Sequence, residues 1–133
     1  VNVLAGAREI SAGYFFSADS VFITDSDGII VWANAAFERV TGYGRADAIG
    51  KTPRILKSDV HEQSFFEDLW RTIRSRRVFR GLMINQRKSG EHYYLDQTIT
   101  PIVSESGRIT HFVAAGREIA AGDLAALVSR RPS

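Results

Sequence analysis

Residues 79–101, FRGLMINQRKSGEHYYLDQTITP, decide how the whole chain is read. Apolar and β-prone residues flank the polar, glycine-containing run Lys88-Ser89-Gly90-Glu91, the pattern of two strands folded back on each other. Side chains alternate with period two, so Tyr93, Leu95, Gln97 and Ile99 share one face of the second strand and Tyr94, Thr98 and Thr100 the other. On the first strand Gly81, Met83 and Asn85 lie opposite Leu82 and Ile84. One face must meet a core, which leaves Asn85 as a lone amide among the apolar neighbours of its own face. A buried amide without a hydrogen bond costs about 1–3 kcal/mol. Asn85 therefore either caps the hairpin through its own backbone or faces something polar in a cavity, and the hairpin is expected to form the wall of a binding pocket.

The 133 residues are 44% hydrophobic and 24% charged, the size and composition of one globular domain with one core. No apolar run approaches the roughly 20 residues that cross a bilayer, and the N-terminus lacks the basic-then-apolar pattern of a signal peptide. A cytoplasmic domain without membrane contact is expected. The absence of cysteine excludes disulfides, thiolate nucleophiles, thiolate metal sites and any cysteine–cofactor adduct. Net charge is +2, and the basic residues gather at Arg71, Arg74, Arg76, Arg77 and Arg80. That placement suits the solvated face and C-terminal end of a helix, where cations complement the dipole, and no nucleic-acid contact is expected from it. His92 and His111 read as surface or edge residues, too scattered for a metal cluster. No nucleophile, base and orienting group stand together, so the chain is not expected to be an enzyme.

Taken in order, residues 5–18 carry Ile10, Tyr14 and Phe15 at helical spacing and suggest a short leading helix. Two β-rich runs then bracket Asp25-Ser26-Asp27-Gly28, where Asp-Gly signals a hairpin. A calcium loop fails, because Ala36 stands where the closing glutamate belongs. Asn34 can cap a helix over Ala35 to Thr41, with Gly42 as its left-handed stop. Arg45 to Ile49 gives another helical turn, and Pro53 keeps Thr52 out of helical geometry. Asp59 with Glu62 makes a capping box for a longer helix, whose stripe is Phe65, Phe66, Leu69, Trp70 and Ile73. Beyond the hairpin, Ser104 to Gly107 is a turn and Arg108 to Ile119 a last strand. A further helix is expected from Asp123, with Leu124, Leu127 and Val128 at coiled-coil-like spacing.

This order implies an α+β fold: a five-stranded antiparallel sheet with short helices and one longer helix on one face, flanked by N- and C-terminal helices. The chain divides into a flanking helix over 1–18, the main domain over 19–120 and the start of a linker helix over 121–133. Ile10, Tyr14, Phe15, Leu124, Leu127 and Val128 would be wet in a monomer, which predicts a homodimer through the flanking helices.

A resemblance rests on an ordered set of pieces across residues 15–120. They are Phe22-Ile23-Thr24-Asp25, Asp27-Gly28, Trp32-Ala33-Asn34-Ala35-Ala36-Phe37, Thr41-Gly42-Tyr43, Ile49-Gly50-Lys51, Asn85 to Glu91, Thr100-Pro101-Ile102 and Ile109 to Val113. At these spacings the chain resembles a PAS domain. The resemblance implies a signalling module whose helices and sheet enclose a site for a flavin, a haem, a small metabolite or nothing. It also implies an output domain outside these residues, such as a histidine kinase or a cyclic-dinucleotide enzyme.

The residues choose among the branches of that family. Pro53 stands where the light-sensing branch has its cysteine, Leu95 where it has a second flavin-binding amide, and Gly116 where it has a glutamine. The haem branch needs a histidine in the long helix, and His61 lies in its first turn, off the apolar stripe. The chain is similar instead to the redox-sensing PAS domains of bacterial signalling proteins that hold FAD without a covalent bond. That similarity runs through Thr41-Gly42-Tyr43-Gly44, Ile55-Leu56-Lys57, Leu69-Trp70, Asn85-Gln86-Arg87-Lys88 and Thr100-Pro101. It implies that Trp70 faces the flavin ring and that Asn85 bonds its pyrimidine edge, an amide offering both donor and acceptor. Arg54 and Lys57 are candidates to meet a ligand's phosphates. In the alternative reading the domain holds no ligand and serves dimerisation or relay, with Trp70 as a core aromatic and Asn85 as a turn residue. Arg117-Glu118-Ile119-Ala120 resembles the family's Asp-Ile-Thr junction and places Glu118 on the signal route into the following helix.

Overall fold

Two β-branched and aromatic runs, β1 (Ser20–Asp25) and β2 (Ile30–Ala33), open the fold in the computed structural model, which describes residues 19–120 and 122–124. They turn through the expected Asp-Gly hairpin. Asp25 Oδ1 accepts from Asp27 N at 2.9 Å and Ile29 N at 3.0 Å, so one carboxylate organises the turn. Gly28 has φ +86°, and a Cβ there would stand 3.3 Å from Trp70 Cη2; glycine serves both the turn and its neighbour.

Asn34 ends this hairpin and begins the helices. It is fully buried, its Oδ1 accepts from Val21 N at 3.0 Å and Phe37 N at 2.9 Å, and its Nδ2 donates to Asp19 O at 2.9 Å. It thus caps α1 (Ala35–Thr41), which closes on Gly42 in the left-handed conformation. Helix α2 (Arg45–Ala48) and a 3₁₀ turn at Pro53–Leu56 follow, the proline sitting where its missing N–H costs nothing.

Helix α3 (Gln63–Arg74) starts later than the Asp59–Glu62 capping box predicts, and no side chain caps it. Residues 57–61 are claimed instead by the edge of β3 (Phe79–Gln86). Lys57 bridges to Asn85, Ser58 Oγ donates to Ile84 O at 2.5 Å, and Ile84 N donates to His61 Nε2 at 2.9 Å. These contacts cover an edge that would otherwise be open to a foreign strand. His61 is therefore not in the helix; its ring stacks on Phe65 with centroids 3.9 Å apart.

Strands β4 (His92–Val103) and β5 (Ile109–Ile119) complete an antiparallel sheet in the order β2-β1-β5-β4-β3. The hairpin alternates with period two as expected: Met83 and Asn85 are buried on β3, and Tyr93, Leu95 and Gln97 on β4. On the helical face Leu69 and Ile73 of α3 pack with Met83, Tyr93, Leu95 and Phe112, while Phe37, Ala48 and Leu56 pack with Ile30 and Ala33. Val21, Ile23 and Val113 cluster on the opposite face. His111 departs from expectation; it is buried, not on the surface, with its Nδ1 3.0 Å from Thr110 Oγ1. Residues 122–124 are helical, and Leu124 N donates to Ala120 O at 2.9 Å. The leading helix with Ile10, Tyr14 and Phe15, and the trailing positions Leu127 and Val128, lie outside the described residues.

Candidate functional site

Between the helices and the sheet lies a cavity of about 1020 Å³. Protein cores hold few voids larger than a water molecule, whereas ligand sites span roughly 300–1,000 Å³, so this space has the size of a site and not of a packing defect. Its floor is apolar, from Phe22, Met83, Ile99 and Phe112 on the sheet, and Leu69 and Ile73 of α3 form part of its roof. Trp70, Asn85, Arg54 and Lys57, singled out from the sequence and separated by up to 31 positions, all line it.

Trp70 is half-buried and meets Phe112 edge-on, ring centroids 5.9 Å apart at 88°. The Arg74 guanidinium lies 5.0 Å from the Trp70 ring centroid, which brings a third cation to the cavity beside Arg54 and Lys57. Lys57 Nζ in turn lies 5.0 Å from the Phe66 ring centroid. Arg54 and Lys57 are solvent-exposed at the rim, while Asn85 is 9% exposed and sits deep on β3.

Asn85 does not cap its hairpin. Among the described residues its amide has no well-formed hydrogen bond; the Tyr93 hydroxyl, on its cross-strand partner, interacts with it, and that hydroxyl is buried with no partner in good hydrogen-bond geometry. Burial pushes Tyr93 up to about 12, with the Asn85 amide and the Arg87 guanidinium pulling the other way. The Arg87 guanidinium lies 4.7 Å from the Tyr93 ring centroid and donates to Glu91 Oε1 at 2.7 Å. It also donates to Val40 O at the end of α1 and to Glu118 Oε1 near the end of β5. Burial opposes the charge on Arg87, but the two carboxylates outweigh it and hold its pKa above the ordinary value.

Two polar residues of the cavity, Gln97 and Arg74, are not among the site residues expected from the sequence. Gln97 is 3% exposed and lines the cavity from β4, beside Gly116 on β5. Like Asn85 it is an amide on a core-facing strand position, so the signal that marks the one marks the other. Arg74 belongs, by sequence, to a solvated face, and its contact with Trp70 follows from their i, i+4 spacing on α3.

The residues present fit a flavin. The cavity has the volume, a flat aromatic side chain on one wall, an amide with spare hydrogen-bonding capacity at depth and cations at the mouth. No cysteine exists in the chain, so such a group would be held without a thioether bond.

An antiparallel sheet of this strand order, with short helices closed over a ligand-sized cavity on one face, defines the PAS fold, an architecture of sensory modules. The chain belongs to the PAS family: the family model described as "PAS fold" matches residues 8–119. A nitrogen fixation regulatory protein from Klebsiella oxytoca is 36% identical over 124 residues, which are 89% of this chain and 25% of that protein. Among solved structures, an RNA-binding light-oxygen-voltage receptor superposes with a TM-score of 0.76 at 24% identity, covering 96% of this chain and 38% of that one. The LOV domain of a blue-light-activated histidine kinase from Erythrobacter litoralis gives a TM-score of 0.70 at 25% identity, covering 77% of this chain and 96% of that one. The chain thus spans about a quarter of the nitrogen fixation regulator it matches.

Proposed function

We propose that this PAS domain is a non-catalytic, cytoplasmic sensor that holds FAD without a covalent bond and relays its state to an output domain elsewhere in the protein. The observation that carries the reading is the deep, under-satisfied Asn85 amide in a cavity of about 1020 Å³ whose other walls supply Trp70, Arg54 and Lys57. Kinship with a nitrogen fixation regulatory protein supports a regulatory role, and the likeness to a LOV domain of a histidine kinase supports a flavin and a kinase-type output. A cyclic-dinucleotide enzyme is the other output considered. FAD bound in this cavity supplies a redox centre.

The chain's own residues then divide the work. Asn85 fixes the orientation of the ring edge, Trp70 lies against the ring and excludes water, and Arg54 and Lys57 meet the phosphates. Two residues beyond Asn85 on the hairpin, Arg87 ties Tyr93 to Glu118, so a shift at the ligand edge reaches the end of β5 and the helix that leaves it. Homodimerisation through the flanking helices would let two such exits move together.

The test is the absorption spectrum of the domain purified from cells, followed by release and identification of any chromophore. The reading predicts a yellow protein releasing FAD. A colourless protein that takes up no FAD from solution contradicts it and favours a ligand-free PAS domain acting as a dimerisation or relay element.

A further inference from the structure

We infer that Gln97 is a second ligand-contacting amide of this cavity and that its side-chain oxygen selects a ligand presenting an N–H, favouring the reduced form of a bound flavin; this rests on the flavin reading. The residue is 3% exposed, yet among the described residues its side chain makes one hydrogen bond, a long one, from Nε2 to Thr98 O at 3.3 Å. An amide can donate twice and accept twice, so most of its capacity is unused in a place water is largely excluded from. The bond to Thr98 O orients the group and leaves Oε1 as a free acceptor among the described residues.

The neighbouring strand is shaped around that oxygen. Gly116 pairs directly with Gln97, and a Cβ at position 116 would stand 3.1 Å from Gln97 Oε1 and 2.9 Å from Leu95 Cδ1. Any larger residue would displace the amide or the leucine beside it. The strand register also separates the two amides usefully. Gln97 pairs with Gly81, four residues before Asn85 on β3, which sets their stations about 13 Å apart at ~3.3 Å per residue. A single small ring does not engage both; an elongated, fused heterocycle with polar atoms on two edges does.

Reduction of a flavin places two electrons on the ring and a proton, taken from water, on a ring nitrogen. The pyrimidine-edge N–H is present in both oxidation states and falls to Asn85; away from that edge an unpaired acceptor is satisfied by the N–H that reduction creates and left unsatisfied by the oxidised ring, so Gln97 should bind the reduced form more tightly. The experiment uses the whole chain loaded with FAD, titrated with dithionite as the electron donor in the presence of indicator dyes. Gln97→Leu, which keeps the bulk and removes the oxygen, is expected to lower the preference for the reduced form about tenfold, a shift of about 30 mV to more negative potential for a two-electron couple. Gln97→Asn, which withdraws the oxygen but keeps the amide, is expected to move the potential in the same direction and covers the case in which the leucine variant does not fold. If FAD loads normally and both potentials match the parent, the inference is overturned while the flavin reading stands. If the parent takes up no FAD, both fall.

Discussion

Asn34 and Asn85 carry the same amide into the interior of the same domain, one just past the end of β2 and one on β3, 0% and 9% exposed. Around Asn34 the chain supplies three well-formed partners: Val21 N and Phe37 N to its oxygen, and Asp19 O to its nitrogen. Around Asn85 the described residues supply only a tyrosine hydroxyl that itself lacks a well-formed bond. The first amide is part of the fold, since removing it strands backbone N–H groups. The second is a cost to the fold that something outside the chain can offset. Burial alone does not separate the two roles; the count of partners does.

The largest effect expected from this contrast falls on the satisfied amide. Asn34→Ala removes the cap of α1 and leaves the N–H groups of Val21 and Phe37 buried without partners, a loss on the order of 3–5 kcal/mol. Urea unfolding of the ligand-free domain measures it. A loss below about 1 kcal/mol would make the two asparagines alike and break the comparison.

Local chemistry makes much of the molecule legible in the amino-acid sequence. Period-two alternation yields the buried set Met83, Asn85, Tyr93, Leu95 and Gln97, and a short window of residues contains both the Asp-Gly turn and the Asn34 cap. Trp70, Asn85, Arg54 and Lys57 do converge on one cavity. What sequence misses is long-range. Ser58 and His61 reach Ile84 across 26 and 23 positions, and no local pattern announces that an irregular segment will displace the start of a helix to cover a strand edge. Gln97 stands on the expected face, but its spare capacity becomes visible only once Thr98 O and Gly116 are placed around it.

A smaller effect tests that long-range contact. His61 accepts from Ile84 N, which only an unprotonated Nε2 can do, and burial lowers its pKa below the ordinary 6.5. The unfolded chain therefore takes up the proton first as pH falls. The stabilisation is complete above the unfolded value and is lost below it, until the folded value is passed. His61→Gln keeps an acceptor that does not titrate, so its thermal midpoint should fall less than the parent's between about pH 7.5 and 5.5. Parallel curves for the two proteins would remove His61 from the strand-edge contact.

The most direct test of the account is Asn85→Ala, with FAD affinity and ligand-free unfolding free energy measured on one preparation. The account predicts an FAD affinity about fivefold weaker, the worth of one hydrogen bond at about 1 kcal/mol, while the ligand-free domain loses little or no stability. Unchanged affinity together with a clear loss of stability would contradict it, and would make Asn85, like Asn34, a residue of the fold.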